Sequence, residues 1–299
     1  MYVILGASGN TGHVVATNLL GQGQRVRVVG RNAAHLQSLV TAGAEVFVGD
    51  ITDASALTKA FQEADSAYVM IPPNPTSNDF RAYQDRTTDA IAAAVQKAEI
   101  KNVVALSSYG ADKSSGTGPV AGLHDLEQKL NQISGANVLS LRAGYFMENT
   151  LPQASVIRMA GSVLGPLKAD LKLPMIATRD IGAAAASALV GLAFRGKQTQ
   201  ELHGQRDLDY SEIASIIGNA IGKPDLRYVQ APDNQLRGAL QQMGMSENFV
   251  GLMFEMFEAL NSGHMQALEP RNASNTTPTK FEAFVVEEFV PAYRQQPAA

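Results

Sequence analysis

Residues 1–15 read MYVILGASGNTGHVV, and this stretch predicts the architecture of the chain. An apolar run at residues 2–5 is typical of a strand, and helical periodicity begins at residue 11, so three glycines stand at a strand-to-helix turn. Gly6 gives the turn its conformational freedom, Gly9 lets backbone N–H groups approach a ligand, and Gly12 lets the helix pack on the strand. Free N–H groups at a helix N-terminus attract phosphate. We therefore predict a dinucleotide-binding loop made of Gly6, Ser8, Gly9, Asn10, Thr11 and Gly12; the alternative is a tight turn without a ligand.

Short apolar runs alternate with helical periodicity through the first half of the chain. Strands are predicted at residues 2–5 and 25–29 and in EVFVGDITD, SAYVMIPP, NVVALSSYGA and NVLSLRAGYF, which begin at residues 45, 66, 102 and 137. Helices are predicted at residues 11–20, 33–40, about 78–98 and about 123–134, and after an N-cap at Asp53. Continuous apolar strands separated by helices indicate a parallel sheet covered on both faces. The predicted fold class is α/β, a Rossmann-type doubly wound sheet with a smaller mixed α/β C-terminal lobe.

The regular alternation of strands and helices ends at about residue 149, after which loops and mixed elements follow. We divide the chain into an NAD(P)-binding Rossmann domain at residues 1–149 and a smaller lobe at residues 150–299, with the chain able to cross between them. The lobe is predicted to cover the carboxyl ends of the strands. A small-residue helix is expected to begin at Asp180, and Asp209 with Glu212 predicts a capping box.

A methionine-rich segment occupies residues 234–263. Its apolar positions fall at helical spacing: Leu252, Met253, Met256, Phe257 and Leu260. Two interpretations stay open. The helix packs into the core, or its methionines form a deformable wall over an apolar substrate, since methionine fills irregular space.

Composition excludes several classes of protein. The chain has 299 residues, 45% of them hydrophobic and 17% charged, which is typical of a globular protein. A net charge of −4 without a long basic run argues against direct nucleic-acid binding, and zero cysteines exclude disulfides and thiol catalysis. No apolar run reaches the roughly 18 residues of a membrane helix, and the first residues do not resemble a signal peptide. We expect a soluble, cytoplasmic protein without membrane or nucleic-acid partners.

Arg31 follows the second predicted strand. NAD-binding units usually carry an acid there, which binds the ribose 2′-hydroxyl. A guanidinium instead offers planar donors and a permanent positive charge to a 2′-phosphate. The sequence therefore favours NADP(H) over NAD(H); the alternative is a solvated arginine, with Asn32 serving a bare ribose.

Other strand ends should face the same crevice. Asp50 is placed either to accept a hydrogen bond from an adenine amino group or simply to cap a turn. Residues after the fourth and fifth strands should lie near the ribose and nicotinamide. The cofactor residues predicted beyond the glycine loop are Arg31, Asp50, Ile51, Ile71, Pro72, Pro73, Ser107, Tyr145 and Phe146.

The order and spacing of GASGNTG, VGRN, GDITD, SSYGA, LHDLEQKL and LRAGYFMEN resemble the NmrA-like family of atypical short-chain dehydrogenases. RDIGAAAASAL and EIASIIGNAIGK extend the resemblance over most of the chain. The resemblance implies an NAD(P)H-dependent reductase of quinones, triphenylmethane dyes or phenylpropanoids. The family also includes regulators that bind the nucleotide without turnover.

The chain departs from the Tyr-x-x-x-Lys pair that extended short-chain dehydrogenases use for acid–base chemistry. Aligning Glu127 with the family's glutamate places Pro119 at the tyrosine and Leu123 at the lysine. Two other residues are candidate catalytic groups, Tyr109 at the end of the fifth strand and His124, whose usual pKa suits a proton donor. The alternative for His124 is a helix-start or ribose-contacting residue without catalytic duty.

GYFMEN, which begins at Gly144, resembles the family segment that lines the nicotinamide end of the cleft. Phe146 and Asn149 are therefore predicted substrate contacts, because an aromatic ring there can stack on a flat molecule. The alternative for Phe146 is core packing. Histidines and acids show no metal-ligand spacing, so we predict no metal site.

The sequence predicts an oxidoreductase that binds NADP(H) and transfers hydride to a quinone-like or other conjugated small molecule. A hydride added to a quinone leaves a stabilised phenolate, so such a reaction needs little acid catalysis. The alternative is a regulatory protein that senses NAD(P) redox state through a protein partner. A sugar-nucleotide epimerase is disfavoured, because that chemistry needs the missing tyrosine and lysine.

Overall fold

The computed structural model describes residues 1–295. Its strands are β1 (Tyr2–Ile4), β2 (Val26–Gly30), β3 (Glu45–Val48), β4 (Ser66–Val69), β5 (Asn102–Ser108), β6 (Asn137–Ala143), β7 (Tyr145–Phe146), β8 (Val163–Gly165), β9 (Leu173–Ile176), β10 (Lys197–Leu202), β11 (Asp207–Leu208) and β12 (Tyr228–Gln230). Its α-helices are α1 (Asn10–Gly21), α2 (Gln37–Thr41), α3 (Ala54–Phe61), α4 (Phe80–Lys97), α5 (Ala121–Asn131), α6 (Gln153–Ala160), α7 (Thr178–Gly191), α8 (Tyr210–Ala220), α9 (Asp233–Gln242), α10 (Glu247–Ser262), α11 (Phe281–Phe284) and α12 (Val290–Arg294). A π-helical turn at Val285–Phe289 joins the last two.

Seven parallel strands form the main sheet in the order β10-β6-β5-β4-β1-β2-β3. Tyr2 in β1 pairs with Val26 on one side and with Ser66 on the other, so the chain changes direction between β3 and β4. In doubly wound sheets such a switch point opens a crevice at the carboxyl ends of the strands. The predicted Rossmann-type fold class is confirmed.

Both faces of the main sheet are buried. One face packs on α1 and α7 through residues such as Leu19 and Leu189, and the other packs on α3, α4 and α5 through residues such as Ile91 and Leu126. The two helices on the first face approach closely, since a Cβ on Gly182 would stand 2.6 Å from the Cβ of Val14. This packing holds the start of α1 at the crevice.

The second half of the chain returns to the main sheet. Helix α7 packs on α1, and β10 adds the seventh strand in parallel with β6. The remaining strands form two small sheets, β11-β9-β7 and β12-β8. Together with α8 and residues 281–290 they enclose a separate hydrophobic core. The small lobe therefore contains residues that precede α7 and residues that follow β10 in the sequence.

Two local predictions are wrong. The sixth strand does not run from residue 137 to 146, because it ends before Gly144. The backbone there packs against Pro174, since a Cβ on Gly144 would collide with the Pro174 carbonyl oxygen. Tyr145 and Phe146 pair with β9 instead. The small-residue helix begins at Thr178, not at Asp180, because the carboxylate of Glu148 accepts the Thr178 N–H at 2.9 Å.

Two predicted helix caps are confirmed. Asp53 accepts the backbone N–H groups of Ser55 and Ala56, and Asp209 forms a reciprocal capping box with Glu212. Within residues 1–295 the structure contains no helix that is both long enough and apolar enough to span a membrane.

Candidate functional site

The glycine loop turns sharply between β1 and α1. Gly6 has φ +65°, and a Cβ there would stand 2.6 Å from the Sδ of Met70. A Cβ on Gly12 would collide with the carbonyl oxygen of Gly6, so helix and turn are in direct contact. Gly9 is the N-cap of α1 and provides no side-chain oxygen, and Ser8, Gly9 and Asn10 are exposed. The start of α1 therefore has free N–H groups facing outward, which fits a phosphate.

Thr11 has its side chain in the interior. Its hydroxyl accepts a hydrogen bond from the Tyr68 hydroxyl at 3.0 Å, and both residues are buried. Burial of this hydroxyl leaves the backbone N–H as the group of Thr11 best placed to meet a ligand at the loop.

Arg31 is exposed and forms no hydrogen bond or ion pair within residues 1–295. Asp50 lies nearby, and its Oδ1 accepts the backbone N–H and the hydroxyl of Thr52, both at 2.8 Å. These two hydrogen bonds, with a smaller effect of the Arg31 charge, lower the pKa of Asp50. Asp50 thus caps a turn with one oxygen, while its Oδ2 has no partner in the part of the chain described. Ile51 beside it is half-buried against the core.

A cavity of about 310 Å³ opens at the carboxyl ends of β4, β5 and β6. The strand ends contribute Met70, Ile71, Ser107, Tyr109 and Phe146. Helix α10 covers the cavity with Phe249, Met253, Met256 and Leu260, and the remaining lining residues are Pro73, Phe80, Gln84, Leu106, Ser108, Pro119, Val120, Leu123, Gly144, Tyr145, Asn149 and Met265. Helix α10 packs closely against Gly118, because a Cβ on this glycine would collide with the carbonyl oxygen of Leu252 in the helix.

The methionine-rich helix accommodates both interpretations of its pattern. Leu260 is 3% exposed and belongs to the core of the small lobe. Met253 and Met256 are half-buried and line the cavity. The methionine side chains over the strand ends can therefore adapt their shape, whereas the helix that carries them is held by packing.

Most residues predicted at the nicotinamide end meet at this cavity. Ile71, Pro73, Ser107, Tyr145, Phe146 and Asn149 line it. Pro72 does not; its carbonyl oxygen accepts the Tyr83 hydroxyl at 3.0 Å. The Tyr145 hydroxyl lies 3.1 Å from that of Tyr210, and burial raises the pKa of Tyr145.

A buried polar cluster lies behind Ser107. Its hydroxyl donates to the Oε1 of Glu127 at 2.5 Å, and Arg142 binds the same carboxylate with its Nε at 3.0 Å and its second terminal nitrogen at 2.7 Å. Glu127 is 2% exposed, so this carboxylate needs its partners. Sequence reasoning missed the cluster, although charged residues within two predicted core elements were a usable signal.

The two predicted catalytic residues differ in position. His124 does not line the cavity, and its Nδ1 lies 2.9 Å from the carbonyl oxygen of Ala111, an arrangement that favours the structural interpretation. Tyr109 does line it, yet its hydroxyl oxygen is fully enclosed and has no hydrogen-bond partner within residues 1–295. Burial raises the pKa of Tyr109, and the neighbouring Tyr145 and Asp207 raise it further. A protonated hydroxyl is the stable form at neutral pH.

The lining of the cavity is electrically neutral. In the described part of the chain, none of its residues is aspartate, glutamate, lysine, arginine or histidine. Pro119 and Leu123 both line it. Among residues 1–295, no group of three or more potential metal ligands occurs.

Known proteins resemble this chain in sequence and in fold. The profile of the NmrA-like family matches residues 2–290. An NAD(P)H azoreductase from Xenophilus azovorans is 28% identical over 257 residues, which is 86% of each chain. An NADPH-dependent quinone oxidoreductase from Escherichia coli, solved with NADPH, superposes with a TM-score of 0.74 at 22% identity and covers 96% of this chain and 98% of its own. A triphenylmethane reductase from Citrobacter sp., solved with NADP(H), has a TM-score of 0.76 at 18% identity, with 95% and 99% covered.

Proposed function

The chain belongs to the NmrA-like family, and from this premise we propose that it is an NADPH-dependent oxidoreductase acting on a quinone-like or other conjugated small molecule. One observation carries the proposal. Met70 contacts the glycine loop at Gly6 and also lines the neutral cavity, so the loop and the cavity are adjacent parts of one crevice. The azoreductase relative, named for NAD(P)H, supports the same class of reaction.

The residues at the crevice fit a phosphorylated dinucleotide. The free N–H groups at the start of α1 would bind its pyrophosphate, and Arg31 would bind a 2′-phosphate with a charge that no carboxylate neutralises by a direct contact in residues 1–295. Ile71, Pro73 and Ser107 would surround the nicotinamide end. When bound, the reduced nicotinamide supplies a hydride, which carries two electrons.

The chain's own side chains would bind the acceptor and exclude water from it. Phe80, Phe146 and Phe249 offer ring faces, and Met253 and Met256 fill the space around a flat molecule. A reduced acceptor would carry an oxygen or nitrogen anion, which would take a proton from solvent after it leaves the cavity. A conjugated acceptor spreads that negative charge, so the reaction proceeds without an acidic side chain in the lining.

Two catalytic roles stay predictions. Tyr109 would have to turn its enclosed hydroxyl toward the cavity before it could donate a proton. His124 would have to leave the Ala111 carbonyl and move its ring to the cavity wall. The described geometry supports the reaction better through substrate delocalisation than through either residue.

Steady-state oxidation of NADPH in the presence of a panel of neutral quinones tests the proposed function. We expect turnover with equal amounts of NADPH consumed and hydroquinone formed. Gly9→Glu, which places a negative side chain at the exposed loop, is the control and should abolish turnover while the protein stays folded. A nucleotide-loaded wild-type protein that reduces no quinone, azo compound or dye would contradict the proposal.

A second candidate function is a nucleotide-dependent regulator, which the resemblance supports because it places the apolar residues Pro119 and Leu123 at the family's acid–base positions. A regulator must distinguish NADP⁺ from NADPH, since a ligand shifts a conformational equilibrium only through differential affinity. Calorimetric titration with both forms decides this point. Equal affinities would remove the physical basis of this candidate, and unequal affinities with a partner captured in one redox state would support it.

A further inference from the structure

The geometry points to a charge filter at the cavity: we propose that it accepts uncharged planar acceptors and rejects those carrying an ionised substituent such as a sulfonate. This inference deepens the proposed function and rests on it. It names the property of the acceptor that the residues of the cavity select.

The first observation is the lack of any fixed charge in the lining. Every lining residue in the described chain is apolar or neutral, and the wall formed by α10 is aromatic and thioether. An ion transferred into such surroundings loses its hydration and gains no counter-ion. A neutral ring system loses little on the same transfer and gains buried apolar area.

The second observation is that most side-chain donors in the lining already bond to protein acceptors. Ser107 donates to Glu127 at 2.5 Å, Ser108 to the Tyr109 carbonyl at 3.0 Å, and one N–H of the Gln84 amide to the Pro119 carbonyl at 2.8 Å. The two serine hydroxyls therefore cannot replace the water around an anion without breaking internal hydrogen bonds, and Gln84 has one amide N–H left.

Three further side chains complete this account of the lining. The Tyr145 hydroxyl lies 3.1 Å from that of Tyr210, and the Tyr109 hydroxyl is enclosed. Asn149 is exposed at the rim, and its side chain lies close to the Tyr145 hydroxyl. One neutral amide does not compensate a buried sulfonate, because an ion needs several hydrogen bonds or a counter-charge.

The third observation concerns the charges just outside the lining, which are paired with one another. Arg142 is bound to Glu127, and the carboxylate of Asp125 is bound to Arg81. Lys113 pairs with Asp112 at 2.5 Å. None of these cations is therefore available to swing into the cavity without leaving a carboxylate unpaired.

The fourth observation is that hydrogen bonds fix the first turn of helix α10, which carries Phe249 in the lining. Ser246 at the start of α10 donates its hydroxyl to the Ser77 carbonyl at 2.5 Å and its N–H to the Pro75 carbonyl at 2.9 Å. Asn248 accepts the Phe80 N–H at 2.9 Å. The start of helix α10 is thus hydrogen-bonded to the loop that precedes α4 and to the first residue of α4.

Two quinones that differ in charge test the filter: 2-methyl-1,4-naphthoquinone and 1,4-naphthoquinone-2-sulfonate. A sulfonate withdraws electrons and makes the quinone a stronger oxidant, so chemistry alone would favour the charged compound. We expect kcat/KM with NADPH to be at least about 100-fold lower for the sulfonate. Calorimetry on the protein saturated with 1,4,5,6-tetrahydro-NADP, a coenzyme analogue with an uncharged ring that transfers no hydride, should show binding of the neutral quinone and no saturable binding of the sulfonate.

Met253→Lys provides the reverse test, because a lysine at this half-buried position can place its ammonium at the cavity. We expect kcat/KM for the sulfonate relative to the neutral quinone to rise at least about tenfold. Met243→Lys is the matched control, since Met243 is 68% exposed after α9 and does not line the cavity. The control should leave the ratio unchanged. Thermal unfolding and NADPH titration verify that each variant is folded.

The outcomes separate the two proposals. Reduction and binding of both quinones with similar kcat/KM and Kd by the wild type would overturn the charge filter and leave the proposed function intact. If calorimetry shows selective binding of the neutral quinone but neither these compounds nor the panel of quinones, azo compounds and dyes is reduced, the filter holds and the proposed function fails. If neither compound binds or is reduced, both proposals fail.

Discussion

Gly12 lies directly against Gly6, so that a Cβ on Gly12 would overlap the Gly6 carbonyl oxygen. This contact brings the first turn of α1 onto the end of β1. It leaves the loop between the two glycines exposed at the crevice, where the main-chain N–H groups meet a ligand. A Cβ on Gly9, by contrast, would stand 3.4 Å from the same oxygen, an ordinary contact distance.

The two glycines should therefore fail in different ways when a methyl group is added. Gly12→Ala should lower the free energy of unfolding by about 2 kcal/mol or more, because its clash is with backbone. Gly9→Ala should unfold like the wild type and bind NADPH at least about tenfold more weakly, because the methyl group occupies the face that a phosphate approaches. Urea unfolding and calorimetry measure the two quantities.

Gly21→Ala is the matched control, since nothing lies within 4 Å of a Cβ built at the end of α1. It should leave both quantities unchanged or raise stability slightly. Equal losses of stability in the Gly9 and Gly12 variants, or NADPH affinity unchanged in Gly9→Ala, would refute the separation.

Arg31 should decide between the two nicotinamide dinucleotides. Arg31→Ala is expected to weaken NADPH binding at least about tenfold, or about 1.4 kcal/mol, while NADH binding stays the same. The loss should shrink at high salt, because an exposed ionic contact is screened. Arg25→Ala, at the other end of the same strand and also exposed, serves as the control. Parallel loss of NADPH and NADH affinity would count against a 2′-phosphate contact.

The two tyrosines at the cavity should differ in what their hydroxyls contribute to stability. Tyr109→Phe should leave the free energy of unfolding unchanged or raise it, because its enclosed hydroxyl has no hydrogen bond to lose. Tyr145→Phe should lower that free energy by about 1 kcal/mol, because it breaks the contact with Tyr210. Chemical denaturation checks both values. A loss of 1 kcal/mol or more in Tyr109→Phe would show that this hydroxyl has a partner.

Glu148 should make stability depend on pH in a defined direction. Burial raises the pKa of Glu148 above its ordinary value of 4.5, and the hydrogen bonds from Thr178 oppose this effect. The folded protein thus keeps a proton that the unfolded chain has lost. The stability that this proton contributes is complete below pH 4.5 and disappears as pH rises through the folded-state pKa.

Glu148→Gln should remove this component, so that the variant gains stability relative to the wild type between pH 4 and pH 7. Urea unfolding at several pH values measures the difference. Glu258→Gln, an exposed change on α10, should give a difference that does not vary with pH. A constant difference for Glu148→Gln as well would show that Glu148 ionises in the folded protein as it does in the unfolded chain.

Local sequence patterns predicted the elements whose formation depends on residues close together in the chain. The apolar strands and the glycines of the first turn indicated the parallel sheet, and Asp53 and Asp209 indicated two helix starts. The break at Gly144 was not predictable, because its cause is the carbonyl of Pro174, thirty residues further along the chain.

Long-range contacts also decided which candidate residues reach the cavity. The family resemblance placed His124 near the site, but its ring contacts the Ala111 carbonyl and does not line the cavity. The cluster of Ser107, Glu127 and Arg142 joins β5, α5 and β6, and only the folded sheet brings these residues together. The return of β10 to the main sheet likewise depends on pairing with β6, which no local pattern specifies.

Calorimetric titration of the wild-type chain with NADPH tests the central claim most directly, because the claim is that the glycine loop and Arg31 bind a phosphorylated coenzyme. The account predicts saturable binding of one NADPH per chain and an affinity for NADH that is at least about tenfold weaker. An absence of saturable heat with NADPH, or tighter binding of NADH, would contradict it.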